Sequence, residues 1–295
     1  MVSCVVAGVD GAPADLAAAD WAAGLRSLSL RLLHARERQA CANAPLAGPV
    51  SMRAWTARVP RDPVVALCER YPQPESPRKR SPGSPWTVLA AAVGAAEVLA
   101  LGSRGLNGIT GFLVGSAALA VIAAVHRPVV LVRAGKTTQN EHLPDADGLA
   151  SATNGYRDVI FGLDLDRPRA DLFAFDAAAD RAAGLRVIHR WTLPPNVHGS
   201  GMALPDLIKT APAERDTAAL TRALRPWQLK HPDAHVHAHQ TIGRAADHSV
   251  EASADACLAV VGRRIRRSAV SSHIGPVTHA VLHHSAAPVA VVAHP

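Results

Sequence analysis

The chain alternates short aliphatic runs with longer stretches in which apolar residues recur at helical spacing. Val5, Val6, Ala7, Gly8 and Val9 form an apolar run that stops at Asp10-Gly11. Beyond it, Ala and Leu recur around Trp21 with the spacing of a helix face. The pattern predicts a strand over 4–9, a helix over 14–27 and a strand over 28–34. Further on it predicts a helix over 86–96, a strand over 98–102, a helix over 115–125 and a strand over 129–133. Unbroken aliphatic runs suit parallel strands covered on both faces, and strands alternating with helices imply βαβ units.

The same pattern occurs twice. Val5-Val6-Ala7-Gly8-Val9-Asp10 returns as Val159-Ile160-Phe161-Gly162-Leu163-Asp164, and Leu32-Leu33-His34 returns as Val187-Ile188-His189. Leu99-Ala100-Leu101-Gly102 returns as Ala259-Val260-Val261-Gly262, and Arg127-Pro128-Val129-Val130-Leu131-Val132 as Ala287-Pro288-Val289-Ala290-Val291-Val292. These matches keep their order and nearly their spacing, which marks a duplicated domain. The expected division is a first domain over 1–137, a polar linker over 138–156 and a second domain over 157–295. Residues 71–85, crowded with Pro, Ser, Arg and Lys, read as a loop inside the first copy. The expected fold class is α/β: two tandem Rossmann-like domains, each a mainly parallel five-stranded sheet with helices on both faces. Ligands of such sheets sit at the carboxyl ends of the strands, where strand order reverses.

Composition alters this picture little. A length of 295 residues suits two ordinary domains, and aromatics at 4% leave the cores to Val, Leu, Ile and Ala. The net charge of +7 favours anionic partners, but the basic residues are scattered with few aromatics among them. That argues for a solvated surface and against nucleic acid as a partner. Four cysteines without a C-x-x-C pair fit reduced thiols in the cytoplasm, not a disulfide framework or a zinc site. The start of the chain has no charged segment before its apolar run, so no signal peptide is expected. The most apolar stretches, 88–96 and 117–125, fall far short of the about 20 residues that cross a bilayer, so no membrane partner is expected.

The segment with most chemistry is Gly102-Ser103-Arg104-Gly105, nine residues, then Gly115-Ser116 opening a helix. Glycine after a buried strand lets backbone approach a ligand closely. A helix start offers unpaired N–H groups and the positive end of its dipole, a natural seat for phosphate. The hydroxyl of Ser116 suits either a helix cap or a phosphate oxygen. Two glycines and a serine alone leave the choice open between a capped turn and a phosphate site.

The pattern G-x-x-G, nine residues, G-S, between an aliphatic strand and a helix running into Pro128-Val129-Val130-Leu131-Val132, resembles the ATP-binding motif of the universal stress protein family. Val6-Ala7-Gly8-Val9-Asp10-Gly11 resembles that family's first strand, and the resemblance spans nearly the whole chain, twice. It implies the adenine nucleotide alpha hydrolase-like type of fold. It implies that Asp10, with Gly8 beside it, and Ala35 after the strand-two histidine address the adenosine end. Leu101, Gly102, Arg104, Gly105, Gly115, Ser116 and Ala117 are implied to hold ribose and phosphates of ATP, with or without Mg2+. A guanidinium at Arg104 suits phosphate oxygens. Two departures point to weaker binding: Ala12-Pro13 stands where the family commonly has Ser or Thr, and Ala117-Ala118 where it often has small hydroxyl residues.

The second copy is blunted. It reads Gly262-Arg263-Arg264-Ile265, nine residues, Gly275-Pro276. Ile265 brings a β-branched side chain where backbone should approach phosphate, and Pro276 removes a hydroxyl and an amide donor while remaining comfortable early in a helix. A mainly structural copy with a degenerate site is expected. Gly135-Lys136-Thr137 mimics the end of a P-loop, but Val130 stands where its first glycine belongs. His235, His237 and His239 alternate on a strand near a sheet edge and read as its polar outer face, not as a metal site. No G-x-S-x-G elbow is present, and efficient catalysis is not expected.

The expectation is therefore a nucleotide-responsive stress or signalling protein that binds ATP in its first domain, with at most slow hydrolysis. The alternative is a scaffold of the same fold that binds protein partners and no nucleotide. The resemblance also implies self-association through the final strands, 129–132 and 289–292, and a homodimer.

Overall fold

Aliphatic runs become strands wherever helices can cover both of their faces. The computed structural model describes residues 3–9, 12–25, 27–36, 79–82, 85–94, 96–105, 112–113, 115–165, 171–191, 206–242, 244–265 and 274–295. The described chain divides into two units, the first within residues 1–138 and the second within 139–264 and 274–295.

The first unit runs β1 (Cys4–Gly8), α1 (Pro13–Ala23), β2 (Ser29–Arg36), β3 (Lys79–Pro82), α2 (Pro85–Val93), β4 (Val98–Gly105), β5 (Phe112–Leu113), α3 (Ser116–Ala124) and β6 (Val129–Arg133). Its sheet has the order β3-β2-β1-β4-β6, and each adjacent pair is parallel. The chain steps outward from β1 to β3, then returns to the other side of β1 as β4. Strand order therefore reverses between β1 and β4, the place where such sheets take ligands. Val5, Val6, Leu99, Ala100 and Val130 are fully buried along these strands.

Helix α1 begins with Pro13, whose missing N–H costs nothing in a first turn. It turns Ala14, Ala18, Ala19 and Ala22 into the core, and these small side chains let its backbone approach the sheet. Contact is tightest at Gly102, where a Cβ would strike the Asp15 carboxylate and come within 2.5 Å of the Ala14 carbonyl carbon. Any side chain there forces α1 off the sheet. The helix stops at Ala23, short of the expected 27, because Gly24 closes it by donating to the carbonyls of Asp20 and Trp21.

The second unit runs β7 (Asp158–Leu163), α4 (Asp171–Arg181), β8 (Leu185–Trp191), α5 (Asp206–Lys230), β9 (Val236–Ile242), α6 (Ala245–Ala252), β10 (Ala256–Arg264), α7 (Pro276–His284) and β11 (Val289–His294). Its order, β9-β8-β7-β10-β11, is again parallel throughout and repeats that of the first unit strand for strand. The duplicated sequence is thus a duplicated topology, and the α/β fold class holds. Phe161, Phe175, Ile160, Leu185, Leu258 and Leu282 fill its core, each contributing about 1.5–3 kcal/mol by burial. Cys257, fully buried at the start of β10, has its thiol pushed up to about 12 by desolvation.

The polar segment before β7 is ordered by its own bonds. A single 3-10 turn, Thr138–Glu141, leads to a bridge between His142 and Tyr156. Leu143 N donates to Gly155 O at 2.8 Å and Arg157 N to Glu141 O at 2.9 Å. Glu141 is buried and pairs at 3.8 Å with Arg181 at the end of α4. The Arg181 guanidinium lies 5.7 Å from the Tyr156 ring centre, and Tyr156 packs on His142 at 4.0 Å. Arg157 completes the clasp by donating to Asp255 at 2.8 Å.

Candidate functional site

The site is built where β4 leaves the sheet of the first unit. The strand does not end at Gly102, as the pattern predicts, but continues through Arg104 and Gly105. The extension survives because β5 folds back on it antiparallel, pairing Arg104 with Leu113 and Gly105 with Phe112. This return arm delivers the chain to Gly115, the N-cap of α3. Gly115 and Ser116 are exposed and Ala117 is half-buried. A Cβ at Gly115 would meet nothing within 4 Å, and no side chain caps the helix. Of the two roles open to Ser116, the cap is not taken. The first helical bond runs from Leu119 N to Gly115 O at 3.1 Å, so the amides before Leu119 face outward as donors.

Two faces of the sheet meet different partners here. The Cβ position of Gly8 points at Leu101 (2.8 Å) and at Leu89 of α2 (3.0 Å), whereas that of Gly102 points at α1. Leu101 and Ser103 therefore share the face of α2, against which α3 packs. Gly8 and Leu101 are held together as neighbours in this core, and their surroundings are those of packing. Ala35 lies at the carboxyl end of β2, opposite Ser81 of β3. Asp10 lies outside the described residues.

Ser103 is a residue the motif alone does not single out. It is 2% exposed and its hydroxyl has no hydrogen-bond partner. Its register partner in β6 is Arg133, also buried, whose guanidinium is lowered to about 10 by desolvation. The available signal was the change from aliphatic to polar at the ends of two adjacent buried strands.

The second unit treats the same positions differently. Arg263 stands in place of Ser103, is buried, and is lowered below its ordinary value by desolvation. Gly275 is the N-cap of α7, and Pro276 occupies its first position. Thr278, buried in the first turn, donates its hydroxyl to Gly262 O at 2.8 Å. Its counterpart in the first copy is Ala118. Ile265 is half-buried just past the end of β10.

The discounted signals have plain places. Gly135 adopts a φ of +79° in a turn after β6, with Lys136 N bonded to Arg133 O. His235, His237 and His239 are exposed along β9, the edge strand of the second unit. In α7 the rings of His279 and His283 lie 4.4 Å apart. Burial, then His283 and His284, lower His279 below its ordinary value. The histidine after strand two of the second copy, His189, is buried with Nδ1 at 3.1 Å from Leu163 O.

Comparison with known proteins agrees with this geometry. A family model described as "Universal stress protein family" matches residues 1–133 and 155–293. Universal stress protein Rv2005c of Mycobacterium tuberculosis is 28% identical over 301 residues, covering 97% of this chain and 96% of that protein. Universal stress protein Rv1996 of the same organism is 29% identical over 208 residues, covering 67% of this chain and 59% of that protein. Among solved structures, a universal stress protein from Archaeoglobus fulgidus superposes with a TM-score of 0.69 at 16% identity, covering 99% of this chain and 98% of that chain.

Proposed function

The chain belongs to the universal stress protein family, and from that premise we propose that it is a nucleotide-responsive signalling protein that binds ATP in its first unit. The observation that carries this reading is the start of α3. Its N-terminal amides are uncapped by any side chain, the space around Gly115 is open, and the helix begins beside the carboxyl end of β4. Phosphate is the ligand such a terminus favours, through its N–H groups and its dipole together. Gly102 supports the reading by drawing α1 tightly onto the sheet, which fixes the floor from which β4 and β5 emerge.

ATP is read here as a ligand whose occupancy is the signal, with at most slow hydrolysis. The residues of the seat are donors, and donors hold phosphate; hydrolysis asks in addition for a positioned water and usually a metal. The second unit serves as a structural mate. Pro276 removes an amide from the seat, and Thr278 has turned its hydroxyl inward to Gly262.

The test is titration calorimetry of ligand-free protein with ATP and Mg2+. One site per chain in the micromolar range is expected. Ser116→Asp should weaken it at least ~100-fold, because a carboxylate takes the positive end of α3 and repels phosphate. The same substitution favours the helix itself by about 0.3–1 kcal/mol, so the loss is not unfolding. Unchanged affinity in Ser116→Asp sinks the site. Two sites per chain sink the reading of the second unit. No binding by the wild-type chain leaves the scaffold of the same fold.

A further inference from the structure

We propose that the Ser103 hydroxyl is a ligand-binding donor, reserved for a phosphate oxygen of the nucleotide seated at α3. This rests on the nucleotide reading above and adds to it a contact from the strand, where the motif supplies glycine backbone and a helix end.

The argument starts from a cost. A buried hydroxyl without a partner is destabilising, because folding strips its water and returns nothing. Ser103 is 2% exposed and its Oγ is unpartnered. Ala or Val at this position would continue the aliphatic strand without that cost. The neighbourhood also defines the missing partner. Next to Ser103 in register is Arg133, whose guanidinium offers donors and no acceptor. On the far side of Gly102 the chain leads to the uncapped N-terminus of α3, which likewise offers donors. A hydroxyl among donors and beside a buried cation needs an acceptor that carries negative charge, and a phosphate oxygen is that group. Ser103 shares the α2 face of β4, and α3 packs against α2, so hydroxyl and helix end lie on the same side of the sheet. The second unit supplies the contrast. It has Arg263 in this place, and its one nearby hydroxyl, Thr278, is already spent on Gly262 O.

The experiment compares Ser103→Ala with the wild-type chain by titration with ATP and with adenosine, and by thermal unfolding without ligand. ATP affinity should fall about tenfold, the effect of losing one hydrogen bond to a charged acceptor. Adenosine affinity should not change, and the unliganded midpoint should stay level or rise, since an unsatisfied group has been removed. Equal loss for ATP and adenosine, or a lower unliganded midpoint, assigns the hydroxyl a structural role and overturns the proposal. ATP affinity equal to wild type, with Ser116→Asp still abolishing binding, overturns Ser103 and leaves the nucleotide reading standing. Failure of the wild-type chain to bind ATP overturns both.

Discussion

Residues 102–116 and 262–276 occupy the same place in two copies of one topology, yet their polar groups are spent in opposite ways. In the first unit the Ser103 hydroxyl has no partner and the first amides of α3 are uncapped. In the second, a proline replaces the serine at the helix start, and Thr278 donates to the carbonyl of the strand-end glycine. The strands and their order are unchanged. What separates the copies is whether donors are aimed outward or satisfied within. Outward donors cost stability and hold a ligand; inward ones contribute stability and hold nothing.

The second unit also has an internal brace, and breaking it should have the largest effect. Glu141 and Arg181 are each 7% exposed at the side chain. Glu141→Gln leaves the guanidinium buried with its charge uncompensated, and about 3 kcal/mol of stability should be lost. Urea denaturation followed by the fluorescence of Trp227 reports on this unit directly. ATP affinity of the first unit should be unchanged. A fall in affinity as large as the fall in stability would mean that the two copies are not independent in function.

A smaller effect is expected from Thr278→Val, which leaves Gly262 O without its hydroxyl donor at the cost of about 1 kcal/mol. Substituting the corresponding Ala118 of the first copy by Val removes no hydrogen bond. A Thr278→Val chain whose urea midpoint matches wild type would show that this bond does not distinguish the copies.

The smallest effect is a pH dependence confined to α7. His279 is lowered by burial, His283 and His284, so the folded state favours its neutral form. Stability from this site is complete above the unfolded value of about 6.5 and declines as pH falls through it. His279→Gln should therefore match wild type at pH 8 and exceed it at pH 5.5 in thermal midpoint. A constant difference between the two proteins from pH 8 to 5.5 would contradict this.

The repeat in the sequence carried the fold, because buried parallel strands leave a strong aliphatic signature and a duplicated signature implies a duplicated order. Strand β1 through Gly8, the start of α3 at Gly115-Ser116 and the final strand from Val129 were all legible in this way. The end of β4 was not. Its last residues, Arg104 and Gly105, are held by pairing with Phe112 and Leu113, and pairing across a loop leaves no periodicity. The brace around Glu141 was hidden for a similar reason. Its residues come from the segment before β7, from α4 and from the end of α6, and each alone reads as an ordinary polar surface position. Ser103 was visible as a letter in the motif but not as a buried hydroxyl, because burial depends on what covers the strand end.

Cys257 has a consequence for how this molecule meets an oxidising challenge. With its thiol held at about 12, only on the order of one molecule in 10^5 carries the thiolate there at neutral pH. Peroxide and disulfide reagents attack the thiolate, and this sulfur is also sealed from solvent at the base of a central strand. The cysteine is chemically silent: oxidants pass it by while the fold is intact, and it becomes a target once β10 is exposed by unfolding.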